Sequence, residues 1–405
     1  MTLVYLTYFE TMSGVYEGQV IDVCDYIEKT FNVPTRLIAV LSPRDYPRQS
    51  ARLLARAHQA QTICAPLGWR GWPLARAIVK WQVAAALPND ASAILARGPL
   101  AAAYAQYLRN QGRIHAIGYD GRGAISAEWS EYEVAPSLAW KNRIETLERD
   151  AVVSSDTRVA ISSQLVMHWQ KVFGYDGNRH VVIPCTLSDY HVGPLPDVEQ
   201  IARRRAELGF LPGQTIICYA GSAAEWQSFA ALDPWLDALL TKDPNVALLL
   251  MTRANLSETM VIRNHADRIR QVWVTPEQVR ETMTVADFGL LVRASTITNR
   301  VAAPTKFAEY LAAGLKVLIS RDLGDYSQLV EDHNLGIQCD IDGRPPVVVQ
   351  TNSSERVRLS NFALGRFSKG TFEGSYRRLL LELGCVKTGR PTFQGCADQE
   401  GAEQS

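Results

Sequence analysis

The chain has 405 residues, 47% of them hydrophobic, with 42 basic against 42 acidic side chains. That length suits two domains of ~100–200 residues, and that apolar content is too high for a disordered chain. Zero net charge gives no bulk attraction to a polyanion, and the seven scattered cysteines show neither CxxC nor Cys/His metal spacing, which suits a reducing compartment.

The N-terminus, MTLVYLTYFETMSG, lacks a basic segment ahead of its apolar run, so a strand and loop are expected there rather than a secretion signal. No apolar run approaches the ~20 residues of a spanning helix, and a cytosolic chain is expected. Leu3–Tyr8 reads as a strand and Gly14–Thr30 as a helix entered by a glycine loop. Thr35–Leu41, Ala60–Ala65, Ala93–Ala96, Ile114–Tyr119, Ala151–Ser154 and His180–Ile183 continue the strand rhythm. The stretch Pro184–Val198, with Gly193, Pro194 and Pro196, reads as a linker. A second series follows: strands Ile216–Ala220, Ala247–Met251, Val272–Val274, Phe288–Leu291 and Val317–Ser320, with helices between them such as Phe229–Leu240. Such alternation predicts βαβ units and parallel sheets.

The expected fold class is therefore α/β, with two doubly wound Rossmann-like domains facing across a cleft. Residues 1–190 are expected to form the first of these domains and 191–355 the second. One or two helices follow to 385, then a polar tail, 386–405, expected to be disordered. Open α/β sheets bind ligands at the carboxyl ends of their strands, so the cleft is where two substrates would meet.

The segment Ala303–Gly314, APTKFAEYLAAG, is the most informative. Pro304 suits a helix start and Gly314 a helix end. The free N–H groups near Thr305 suit a phosphate, and Lys306 adds a full positive charge there. Glu309 shares the face of Lys306 and suits the vicinal diol of a ribose; an ordinary surface ion pair is the other reading of the two. In YAGSAAEWQ, Gly221 and Ser222 follow a strand and let a ligand approach the backbone. Arg253, Arg293 and Asn299 end strands on the same side and are further phosphate or sugar candidates. In the first domain Gly14, Arg97 and the loop YDGRGAISAE, with Asp120 and Arg122, lie at strand ends that line the cleft; a local salt bridge that shapes the loop is the other reading of Asp120 and Arg122.

NRVAAPTKFAEYLAAGLKVLIS resembles the donor segment of family 4-type glycosyltransferases with the GT-B fold, whose pattern is close to P-x-K-x-x-E-Y-x-A-x-G. Pro304, Lys306, Glu309, Tyr310, Ala312 and Gly314 match it. R-G-P at Arg97 and D-x-R-G at Asp120 also recur in that family. The resemblance implies a hexosyltransferase moving sugar from a nucleotide sugar to a glycan or polyprenyl-linked acceptor in cell-surface polysaccharide or glycolipid assembly. It implies retention of configuration, the diphosphate at Thr305–Lys306 and the ribose at Glu309. One departure stands out: eight positions before Glu309 many relatives carry a glutamate that contacts the sugar, and here Val301 stands there.

The leaving diphosphate gains charge, which Lys306 and Arg253 would stabilise. If a protein base exists, Asp120 is the first candidate and His115, read as a core histidine inside a strand, the second. No DxD-like clamp follows a donor strand, so neither metal nor cofactor is expected. Tyr46–Asn89 contains no Asp or Glu but holds Arg48, Arg52, Arg56, Arg70, Arg76 and Lys80 among Trp69, Trp72 and Trp81. The stretch 46–89 reads either as a solvated face with a partly buried loop or as contact with an anionic membrane surface at the inner face; no nucleic-acid module accompanies it. The rival readings are a nucleotide-sugar epimerase of the same fold and a non-catalytic nucleotide-sugar-binding protein. No GxGxxG follows the first strand, which disfavours a Rossmann dehydrogenase.

Overall fold

The computed structural model describes residues 1–57, 59–66, 73–221 and 229–387. Ser222, the rest of the loop to Gln227, Trp69, Arg70, Trp72 and the tail from 388 lie outside them. The first sheet contains β1 (Thr2–Tyr8), β2 (Thr35–Leu41), β3 (Ala60–Cys64), β4 (Ala91–Arg97), β5 (Ala116–Gly121), β6 (Thr157–Ala160) and β7 (His180–Val182), in the order β3-β2-β1-β4-β5-β6-β7. The second contains β8 (Thr215–Ala220), β9 (Val246–Met251), β10 (Ile269–Val272), β11 (Phe288–Leu291), β12 (Lys316–Ser320) and β13 (Gly336–Cys339), in the order β10-β9-β8-β11-β12-β13. The pairings are parallel. Each order reverses once, between β1 and β4 and between β8 and β11, and those are the crevices where such sheets bind ligands.

Parallel strands covered on both faces read as continuous apolar runs, and β1, β8 and β9 are buried throughout. Alternate residues of β1 feed two cores. Val4 and Leu6 pack with Val79, Val83, Ala101 and Val152, whereas Leu3 and Tyr5 pack with Val20, Ile27 and Leu53. The second core also takes Tyr376, Leu379 and Leu383, so the final helix, Glu373–Glu382, returns to the first domain. The helix before it, Ser353–Phe367, stays on the second domain through Arg356, which binds Asp287 and the carbonyls of Thr284 and Ala286. The two crossings are tied together: Leu187 N–H donates to Phe367 O (2.8 Å), and Lys369 Nζ to Leu187 O (2.8 Å).

Some expected boundaries move. Ala151–Ser154 is the last turn of the helix Leu138–Ser154, not a strand. The β-branched Val152–Val153 pair favours a strand locally, but Ala151 and Val152 are buried on the helix's core face, and the Arg158 guanidinium collects the carbonyls of Val152, Val153 and Ser155 at its end. The tenth strand begins at Ile269 rather than Val272, and β6 and β13 are short strands unread in the sequence. The expected helix Gly14–Thr30 is interrupted by a π-helical turn, Glu17–Ile21. Among the described residues no helix is long and apolar enough to cross a membrane.

Gly289, in β11, has a strict packing reason. A Cβ there would lie 2.1 Å from the Tyr310 ring, and Tyr310 is fully buried. Gly289→Ala is expected to lower unfolding free energy by about 1–3 kcal/mol through overpacking, measured by urea denaturation, with the helix that carries Glu309 displaced as well.

Candidate functional site

The candidate site's half in the second domain is built where β8 and β11 diverge. Behind them stands the helix Thr305–Ala312, which Tyr310 anchors: its ring fills the space over Gly289, and its hydroxyl accepts from Ala220 N–H at 2.8 Å. Gly314, at φ 80°, ends the turn that follows. Pro304 occupies the N-cap position, so no side chain caps the helix start, and Lys306 lies in its first turn. Glu309, one turn in, is buried. It accepts from the Lys306 ammonium, and its other oxygen lies 3.5 Å from His191 Nε2. Burial alone would raise its pKa; Lys306 and then His191 outweigh that and hold the carboxyl below its ordinary value. His191, in the linker between the domains, has its own pKa lowered, first by burial, with Glu309 opposing. It was not read from the sequence, because only the fold brings the linker to Glu309.

Arg293 follows β11 directly. Its backbone N–H donates to Ser320 Oγ (2.6 Å), and its guanidinium reaches Asn299 Oδ1 at 3.3 Å. Asn299 is itself buried and donates to Ala294 O. Among the described residues no carboxylate forms an ion pair with Arg293, whose pKa is lowered by burial and opposed by Tyr219, Tyr310 and Tyr132. Arg253 stands elsewhere. It follows β9, one strand beyond the crevice, and stacks on Trp273 with 4.2 Å from guanidinium carbon to ring centroid. Both arginines follow strands that flank β8, and Gly221 N–H itself donates to Met251 O of β9 (3.3 Å), but only Arg293 follows a strand that bounds the β8–β11 crevice.

The half in the first domain lies at the β1–β4 crevice. Parallel register sets Arg97 beside Asp120. Arg97 Nε meets both oxygens of Glu10 (2.7 and 2.8 Å), and its Nη1 lies 3.2 Å from Asp120 Oδ2. Arg122 Nε is 3.0 Å from Asp120 Oδ1, and the Tyr5 hydroxyl donates to Asp120 as well. Asp120 is 1% exposed, enclosed by this network of Tyr5, Arg97 and Arg122. Its carboxylate positions two arginines. The network reaches solvent through Glu10, whose side chain is 32% exposed. Glu10 opens the loop that the sequence marked through its glycines; its partner Arg97 is 87 residues away, which hid its role. Gly14 begins a short helix capped by Ser13 and faces open space. His115 is not a core histidine: it is exposed just ahead of β5, at the strand end opposite Asp120, ~16 Å away at ~3.3 Å per residue.

The domains exchange helix caps. Glu131, from the first domain, accepts from Ile297 N–H (2.6 Å), Thr298 N–H (3.0 Å) and Thr298 Oγ1 (2.6 Å) of the second. Asp325, from the second, accepts from Ser163 and Gln164 N–H of the first, at 2.7 and 3.2 Å. Carboxylates at helix N-termini are favourably placed. Val301 is buried under this contact, its carbonyl accepting from Ser162 Oγ at 2.6 Å. Among the described residues no cluster of His, Cys, Asp and Glu is arranged to hold a metal ion.

Glu128 lies one turn before Glu131, and its pKa is raised to about 6 by burial, then by Glu148 and Glu131. A folded-state pKa above the unfolded one contributes stability below the unfolded value, and that contribution is lost as pH rises through about 6. Glu128→Gln is therefore expected to be more stable than the parent by about 1 kcal/mol at pH 7.5, discounting for partial exposure. The advantage should vanish below pH ~4.5, as thermal melts across pH would show.

No protein-family model matches the chain, and no curated protein matches it. Solved structures do. Anabaena HepE, crystallised with UDP, superposes with a TM-score of 0.68 at 14% identity, over 94% of this chain and 100% of that one. A glycosyltransferase from Rickettsia africae gives 0.66 at 13% identity, over 96% and 100%. Sucrose-phosphate synthase from Thermosynechococcus elongatus gives 0.68 at 13%, over 95% and 99%. The fold is that of the GT-B glycosyltransferases: two Rossmann-like domains with a shared C-terminal crossing.

Proposed function

We propose that the protein is a nucleotide-sugar glycosyltransferase with its donor at the β8–β11 crevice. The observation that carries this reading is the Lys306–Glu309 pair in the first turns of a helix whose start no side chain caps, with Arg293, which forms no ion pair among the described residues, following the strand β11 that bounds the same crevice. Glu309 takes the ribose diol. The helix start with Lys306 and Arg293 takes the diphosphate, whose growing charge they stabilise as the glycosidic bond breaks. Lys306 then exchanges its pairing with Glu309 for the phosphate. HepE binding UDP supports this reading. The transfer is retaining and needs no metal, with the leaving phosphate taking the acceptor proton. Glu10, held by Arg97, faces the acceptor, which is a glycan or lipid-linked glycan of cell-surface polysaccharide or glycolipid assembly.

A thermal-shift screen against UDP, GDP, ADP and CDP and their glucose conjugates tests the donor. Stabilisation by one nucleotide series, followed by release of that nucleotide from its sugar in the presence of acceptor, is the expected result. Val301 favours a second reading, a donor-binding protein without transfer, because it is buried where relatives reach the sugar with a carboxylate. Stabilisation without any turnover would select that reading, and no stabilisation by any nucleotide would end both.

A further inference from the structure

The stretch 46–89 does not form one surface. Arg56 is paired with Asp22 at 2.8 Å, with Glu17 and Asp25 near 4 Å, and its helix, Tyr46–Arg56, packs through Leu53 into the core behind one face of the first sheet. The helix Pro73–Ala86 packs through Val79 and Val83 into the core on the other face. Its outer side is apolar: Leu74 is 59%, Ile78 38% and Trp81 70% exposed, with Ala77 exposed between them. These positions recur at helical spacing, so they form one stripe. Three such side chains left in water on one helix mark an interaction surface rather than scattered exposure.

Beside the stripe lies a groove of about 270 Å³ between this helix, the helix Gly98–Asn110 and the helix Leu138–Ser154. Arg76, Lys80 and Arg143 line it together with Tyr104 and Trp140, and no acidic residue does. None of the three cations forms an ion pair among the described residues; Lys80 lies 4.5 Å over the Tyr107 ring. Tyr104 Oη is 3.2 Å from Tyr8 Oη, at the end of β1, so the groove adjoins the acceptor crevice.

We propose that this helix is a membrane-docking surface, with Leu74, Ile78 and Trp81 entering the interface of an anionic bilayer while Arg76, Lys80 and Arg143 receive a lipid headgroup phosphate in the groove. An apolar stripe bordered by cations is the pattern of helices that lie in the plane of an anionic interface. A second copy is the poorer occupant, because a symmetric contact would bring the same unpaired cations face to face. The surface deepens the lipid-linked acceptor reading above and rests on it only for the acceptor; docking itself does not depend on the donor site.

Cosedimentation of the full chain with phosphatidylglycerol vesicles, against phosphatidylcholine vesicles, tests this. Binding to the anionic vesicles that weakens with salt is expected, with a blue shift of Trp fluorescence that Trp81→Ser removes. At about fivefold per cation, Arg76→Gln, Lys80→Gln and Arg143→Gln together should weaken binding about a hundredfold. Leu74→Ser with Trp81→Ser, both at exposed positions, should weaken it without changing the melting temperature. Equal binding to both vesicle types, or undiminished binding by the folded variants, would overturn the proposal. Dimerisation that the stripe variant abolishes, without vesicle binding, would overturn it in favour of a second copy. Stabilisation by nucleotide is read on the same samples: its loss with docking intact removes the donor reading alone, and its retention with docking absent removes this one alone.

Discussion

Glu309→Ala is expected to weaken binding of the donor nucleotide by about a hundredfold. A carboxylate that accepts both hydroxyls of a ribose makes two charge-assisted hydrogen bonds, each worth about 1.5–3 kcal/mol. Part of that is offset, because the free protein satisfies Glu309 with Lys306 and His191, and the nucleotide must displace the first of these. The alanine variant also frees Lys306 for phosphate, which limits the loss. Isothermal titration with the stabilising nucleotide checks the magnitude. Glu309→Gln keeps the shape and one acceptor, so it should fall between parent and alanine. Equal affinity in all three proteins would show that the Lys306–Glu309 pair is only a surface-type contact closing the helix start.

Arg293→Ala is expected to lower kcat by about a hundred- to a thousandfold with a smaller effect on KM, the loss found when a preorganised donor to developing charge is removed. The argument rests on placement. Arg293 ends β11 beside the crevice, its backbone is fixed to Ser320, and no carboxylate neutralises it among the described residues. Arg253→Ala removes only a stacked guanidinium one strand away, and it should change kcat less than threefold. Steady-state kinetics of both variants decide between the two arginines. The reverse order of effects would return the phosphate to Arg253.

The alternation of short apolar runs with longer helical ones was legible because parallel strands are buried on both faces, and the linker showed in its prolines and glycines. Ala303–Gly314 was legible because a helix start, its cation, its carboxylate and its terminating glycine all fall within one short segment. What escaped depends on distant partners. Val152 and Val153 favour a strand, and only Arg158 and the core show that they close a helix. Local spacing could not rank Arg253 against Arg293, since that depends on which strands lie beside the crevice. Glu131 and Asp325 cap helices more than 160 residues away; the Asp120–Arg122 pair was legible from the local spacing, whereas Tyr5 and Arg97, which complete its surroundings, come from distant strands. Val301, visible as a departure from the family pattern, proves to be part of the contact between domains.

The location of the donor site is the central claim, and hydrogen exchange with and without saturating nucleotide tests it most directly. The expected result is slowed exchange at the amides of Thr305–Glu309 and of the turn after β11, Val292–Thr296, with the far ends of both sheets unchanged. Protection confined to the first domain, or none at a nucleotide concentration that stabilises the protein, would contradict it.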